Sequence, residues 1–168
     1  AGTSILAVTD LVLTHFHADH VGSLPLLIMD MWLEKRSEVL TIHGLQVTLE
    51  KARQLLEVFS WGSWPGMFPV QFNVILDDGS AGFIEDSACR LDALPVLHLV
   101  PTLGLRVELA NERVITYSCD TEPCDNLYKL AHNADVLLME SAGPGKGHTS
   151  PEQAGLIAGE AGVKKMIL

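Results

Sequence analysis

The chain alternates between short, continuous apolar runs and longer amphipathic stretches. The run 11–13 predicts a buried strand that ends at Thr14. A helix is predicted over 23–36, with Ser23 as its cap and Pro25 in its first turn. Lys35 and Arg36 suit the negative end of its dipole. A strand over 39–42 and a helix over 48–59 follow, with Ala52, Leu55, Leu56 and Phe59 recurring at helical spacing. The loop 61–66 is rich in turn formers. From 70 to 117 the pattern is that of strands: Val70, Phe72 and Val74 alternate, and Asp77-Asp-Gly79 is a hairpin turn signal. Further strands are predicted over 94–99, 105–109 and 114–117, with Asn111-Glu112 as a turn. A βα rhythm then takes over: helix 123–131, strand 136–139, helix 151–161, strand 165–168. The last helix has Ser150 at the cap, Pro151 behind it and Gln153 at the third position, a capping box. Together these elements predict a single mixed α/β domain, with helices on sheet faces.

Composition narrows the function classes. Of 168 residues, 48% are apolar and 19% charged, which excludes wholesale disorder. A chain of this length buries roughly 70% of its unfolded surface, enough for one sizeable core. No apolar run reaches the ~18 residues needed to span a bilayer, so no membrane partner is expected. Ala1-Gly-Thr-Ser4 carries no basic stretch of the kind that opens a signal peptide. The net charge of −10 argues against broad nucleic-acid affinity, so a large RNA substrate is disfavoured. Three cysteines form no disulfide framework and suit a reducing cytoplasm. The chain opens almost directly on a strand and stops inside another, so residues outside it are expected to complete the fold.

The chemistry concentrates in Thr14-His-Phe-His-Ala-Asp-His20, where three imidazoles and a carboxylate directly follow an apolar strand. His15 and His17, two apart in extended backbone, point the same way and can grip one ion. Asp19 and His20 turn onto another side and can reach a second. Imidazole nitrogen and carboxylate oxygen are donors that zinc favours, and a catalytic site leaves a position open for water. A surface histidine cluster that binds nothing is the competing reading, but polar groups beside a core strand need partners.

This motif resembles the His-x-His-x-Asp-His signature of the metallo-β-lactamase superfamily, and the resemblance continues in order downstream. It implies a four-layer αββα sandwich. His98, in Leu94-Pro-Val-Leu-His98, matches the family's third histidine, and Asp120, in Tyr117-Ser-Cys-Asp-Thr121, matches its bridging aspartate. The resemblance thus implies one metal on His15, His17 and His98, a second on Asp19 and His20, and Asp120 between them. Two zinc ions are expected, with Mn2+ or Fe2+ as alternatives. Metals about 3.5–4 Å apart can share a hydroxide that attacks an ester, and Asp19 can orient it. The family's last ligand is a histidine in a Leu-Thr-His ending, expected just past Leu168.

A second segment, Gly147-His-Thr-Ser-Pro-Glu-Gln-Ala154, resembles the His-Ser-Thr segment of ribonuclease Z-like phosphodiesterases and related arylsulfatase-like hydrolases, with the order His-Thr-Ser here. His148 then stands as general acid to a leaving alkoxide, at a helix N-terminus that favours anions. A loop histidine making a local hydrogen bond is the alternative. Only 22 positions separate His98 from Asp120, too few for the long transfer-RNA-holding arm of true ribonuclease Z. A small phosphodiester or ester substrate is therefore expected. A thioesterase or lactone hydrolase on the same core, or a non-catalytic binding member, are the competing functions. Among the remaining residues, His43 reads as structural and His132 as a helix-end cation. Cys119, where the family has glycine, reads as a small packed residue. Glu140 reads as a hydrogen-bond partner of a ligand histidine or as a turn acid. The loop of Trp61, Trp64, Met67 and Phe68 reads as packed on a sheet, with a substrate rim or a homodimer contact as alternatives.

Overall fold

The computed structural model of the protein describes residues 4–168; the opening residues 1–3, read above for a signal segment, lie outside it. The chain divides into two compact units, one ending at Val74 and the other running Ile75–Leu168. Among the described residues no helix is long and apolar enough to cross a membrane.

The first unit carries the sheet β1–β2–β3, with β1 Asp10–Leu13, β2 Leu40–Leu45 and β3 Val70–Ile75. β1 and β2 run parallel, and β2 is buried at nearly every position, as a strand covered on both faces must be. Three helices, α1 Ala18–Val21, α2 Leu24–Leu33 and α3 Gln46–Glu57, belong to this unit. Leu24, Ile28 and Met31 from α2 meet Leu49, Ala52 and Leu56 from α3 in the core, spacings of three, four and seven. Trp61, Trp64 and Met67 pack against that core and Phe68 is buried in it, so the aromatic loop is a packing element. Trp32 adds to it, its ring 5.2 Å from Trp64 and its indole N–H donated to the Pro65 carbonyl.

Two expectations fail here for a stated reason. α2 stops at Leu33, and Lys35 turns left-handed with φ of 62°. The Arg36 and Lys35 N–H groups then reach back to the Met31 and Trp32 carbonyls, closing the helix with a Schellman turn. Arg36 thus leaves the helix and is buried, its guanidinium spread over the Leu6, Glu38 and Val39 carbonyls. α3 begins two residues earlier than expected, directly off β2, and ends at Glu57. Phe59 therefore falls past the helix and is exposed.

The second unit is a six-stranded sheet in sequence order: β4 Ser80–Glu85, β5 Cys89–Val96, β6 Thr102–Leu109, β7 Val114–Tyr117, β8 Val136–Leu138 and β9 Met166–Ile167. β4 to β7 pair antiparallel, and β7, β8 and β9 pair parallel through α4 Asp125–Ala131 and α5 Pro151–Glu160. Leu127, Ala131, Leu137, Ala154 and Ile157 are buried where the helices cover the strands. The capping box of α5 forms, with Ser150 Oγ accepting from the Gln153 N–H and Gln153 Oε1 from the Ser150 N–H. Asp77-Asp-Gly79 is no hairpin, because β3 and β4 pair into different sheets. The C-terminal carbonyls of α4 are met not by His132 but by Arg106, whose Nη1 donates to the Leu130 and His132 carbonyls.

His43 is the structural residue expected. Its ring is nearly enclosed and pins all three strands of the first sheet, with Nε2 2.8 Å from Asp10 Oδ1 and Nδ1 3.0 Å from Asn73 Nδ2. Since Asp10 accepts and Asn73 donates, Nε2 carries the proton. His43→Ala should lower unfolding free energy by about 2–3 kcal/mol, two hydrogen bonds and the orphaned Asn73 and Asp10 together. Urea denaturation would measure it, and a loss below about 0.5 kcal/mol contradicts the pin.

Candidate metal centre

In the first unit the apolar strand β1 ends at Leu13 and the chain turns polar while still enclosed. His15 is fully buried, its Nδ1 3.3 Å from Thr14 Oγ1. Phe16 points into the unit's core, so the neighbouring histidines cannot. His17 keeps an extended backbone (φ −100°, ψ 152°), and its carbonyl accepts from the His20 and Val21 N–H groups to start α1. That switch from strand to helix gathers three rings. His15 lies 4.8 Å from His17 and 4.1 Å from His20, centroid to centroid. Asp19 Oδ2 is 3.6 Å from His20 Nε2, on a side chain that is largely exposed.

In the second unit β5 ends at Val96, and His98 stands just past it with its side chain fully buried. Its Nδ1 is 2.6 Å from the Gly147 carbonyl, to which it donates. Nε2 lies 3.8 Å from Asp120 Oδ2. A ring anchored through one nitrogen and offering the other is the usual state of a metal-ligating histidine. Asp120 follows Cys119, which is buried and left-handed at φ 53°. That conformation is one that glycine adopts without strain and a side chain rarely does. Burial first, and then Cys119 and Asp120, push the Tyr117 phenol well above its ordinary range, so it stays neutral.

Glu140 organises this half. Its Oε1 accepts from the Thr121 N–H (3.0 Å), the Thr149 N–H (3.1 Å) and His148 Nδ1 (3.1 Å), and its Oε2 from the Ala142 N–H (2.8 Å). Its own N–H donates to Ser118 Oγ. Thr149 Oγ1 donates to the Thr121 carbonyl at 2.5 Å. Of the two readings left open for Glu140, the turn acid describes its backbone contacts, and the histidine it meets is His148. The His148 ring in turn lies edge-on to His98 at 5.1 Å. The N-terminus of α5 is not an open anion site. Its capping box is closed, and Glu152 stands in its first turn, its carboxyl held below the usual range by its own backbone N–H and by Ser150. Any anion contact here rests on His148 alone.

The histidines and aspartates offer imidazole nitrogens and carboxylate oxygens, and Cys119 adds a thiol sulfur in the second unit, donors that fit a divalent ion of the zinc, manganese or iron kind. Thr121, Thr149 and Gly147 were not singled out from the sequence. All three stand inside the two motif segments around Asp120 and His148, which carry no role for them by pattern alone.

The β-lactamase superfamily domain, as a family model, matches residues 3–168. The chain belongs to that superfamily. Within it, it is a metallo-β-lactamase-fold member of the ribonuclease Z-like branch, and that fold implies divalent metal binding. Ribonuclease Z of Methanothermobacter thermautotrophicus is 24% identical over 224 aligned positions, covering 100% of this chain and 71% of the relative. Ribonuclease BN of Escherichia coli K12 is 25% identical, over 93% of this chain and 68% of the relative. The crystal structure of the short form of human tRNase Z covers 97% of this chain and 72% of its own, with a TM-score of 0.80 at 21% identity. That likeness bears on the fold, a mixed α/β chain of the αββα class.

Removing the Glu140 carboxylate strands the N–H groups of two buried residues, Thr121 and Thr149, at once. Glu140→Ala should lower unfolding free energy by about 2–4 kcal/mol, read from urea denaturation of the metal-free protein. A loss under about 1 kcal/mol would mean that the carboxylate does not organise the loop.

Proposed function

We propose that the protein is a divalent-metal-dependent hydrolase of phosphodiesters, its two units acting as one catalytic domain. In this reading His15, His17 and His98 hold one ion, Asp19 and His20 a second, and Asp120 bridges. Zinc suits this donor set best, with manganese or iron as substitutes. When bound, such ions supply Lewis acidity and bring the pKa of water near neutrality.

The observation that carries the reading is the pairing of His98 with His148. A buried imidazole anchored to a carbonyl lies 5.1 Å from a second imidazole anchored to a carboxylate that is itself bound by backbone N–H groups. Glu140 keeps His148 protonated at Nδ1 and fixes the plane of its ring. As general acid the ring would carry a proton on each nitrogen, keep the Nδ1–H on Glu140 and hand the one at Nε2 to the departing oxygen, work that an alkoxide needs more than a thiolate does. Asp19, largely exposed beside His20, is free to orient the attacking water. A small phosphodiester is favoured over a large RNA. The chain is acidic, its His98-to-Asp120 interval is short, and its 168 residues spread over 224 positions when aligned with a ribonuclease Z.

Turnover of bis-p-nitrophenyl phosphate by the zinc-loaded protein is expected, with little on a thioester. His148→Ala should lower kcat by about 10²–10⁴-fold at unchanged metal content. Unchanged turnover in that variant sinks the acid role, and thioester hydrolysis alone sinks the phosphodiester reading. Faster cleavage of a precursor transfer RNA than of the small diester would overturn the substrate size.

A further inference from the structure

Glu122 has no part in the reading above, yet it closes a ring of contacts around His98. Its Oε1 accepts the Gly147 N–H at 2.7 Å, and the Gly147 carbonyl accepts His98 Nδ1–H at 2.6 Å. Its backbone N–H donates to the carbonyl of Leu97, the residue before His98, at 2.7 Å, in an isolated antiparallel bridge. Thr121 Oγ1 takes the Leu97 N–H from the same side. One short segment, Thr121-Glu122, thus holds the backbone entering His98 and, through Gly147, the outer nitrogen of its ring.

Gly147 is the weak link that makes the carboxylate matter. It is left-handed at φ 85°, and a Cβ there would sit 2.8 Å from His98 Nδ1. The close approach of carbonyl to ring therefore requires glycine. Glycine is also the residue least able to hold its own conformation, and Gly143 and Gly145 precede it. The backbone must be held from outside, and the Glu122 carboxylate meets its N–H.

We propose that Glu122 is a positioning residue for His98, acting through Gly147 to fix the tautomer and aim of that ring. The inference rests on the reading of His98 as a metal ligand, and it assigns the tether that keeps Nε2 presented. Charge on Glu122 is not the requirement; an acceptor at that reach is.

The test uses the whole chain and two readouts, one of them free of metal. In the metal-free protein the His98 Nδ1–H proton is followed by NMR, assigned through its loss in His98→Ala. Zinc affinity is then measured by competition with a chelator. Glu122→Ala should abolish the protected imidazole signal through fast exchange, and weaken zinc binding roughly 10–100-fold, as loss of an outer partner of a ligand does. Glu122→Gln, which keeps an acceptor oxygen, should restore both. Glu122→Asp falls one methylene short and should behave like the alanine variant; it is read in its place if that one does not fold. Signal and affinity both unchanged in Glu122→Ala or Glu122→Asp overturn the proposal, and so does a Gln variant as impaired as these. His98→Ala in the same titration separates the two claims. Unchanged zinc affinity there overturns the ligand reading itself. Weakened affinity there, with none lost at Glu122, overturns only the positioning role.

Discussion

The Glu140 carboxylate is the fixed point of the second unit. A carboxylate largely shielded from water is tolerated only when its oxygens are met by donors, and here the donors are backbone N–H groups from Thr121, Ala142 and Thr149 together with the His148 ring. Those groups come from two loops, one after β7 and one after β8. Satisfying one charge therefore locks both loops together, and with them Asp120, which precedes Thr121, and Gly147, which precedes His148. The first unit solves a similar problem with a change of backbone: extended through His17, then helical from Ala18, so that three imidazoles converge while Phe16 faces the core.

A common logic runs through these contacts. Both His98 and His148 anchor Nδ1, His98 on a carbonyl and His148 on a carboxylate, and the proposed function assigns their chemistry to Nε2. His43, with the same side chain, spends both nitrogens on Asp10 and Asn73 and has none left over. The distinction between a structural and a functional histidine thus lies in how many ring nitrogens the fold consumes.

Much of this was legible in the sequence. The apolar runs around Leu13, Ile42 and Leu137 marked strands because a strand covered on both faces must be apolar throughout. Ser150 and Gln153 announced their helix because a capping box is local chemistry. The spacing of His15, His17, Asp19 and His20 pointed to metal binding because few other uses tolerate such a cluster. What stayed hidden depends on residues far apart in the chain. The left-handed turn at Lys35 has no glycine to signal it. Arg106 caps a helix 24 positions away, as read from its bond to the Leu130 carbonyl. Glu140 was placed beside the site, but its partner could not be chosen, since that choice rests on how the 142–149 loop returns. Thr121, Glu122 and Thr149 are ordinary turn residues until the loops that they tie are seen together.

In the proposed function a divalent ion is held by imidazole and carboxylate groups, and the buried Cys119 beside Asp120 is left to packing. X-ray absorption at the zinc edge of the loaded protein tests this most directly. The expected spectrum shows a first shell of nitrogen and oxygen alone, at about 2.0–2.2 Å. A sulfur scatterer at about 2.3 Å, or a protein that retains no zinc, would contradict it.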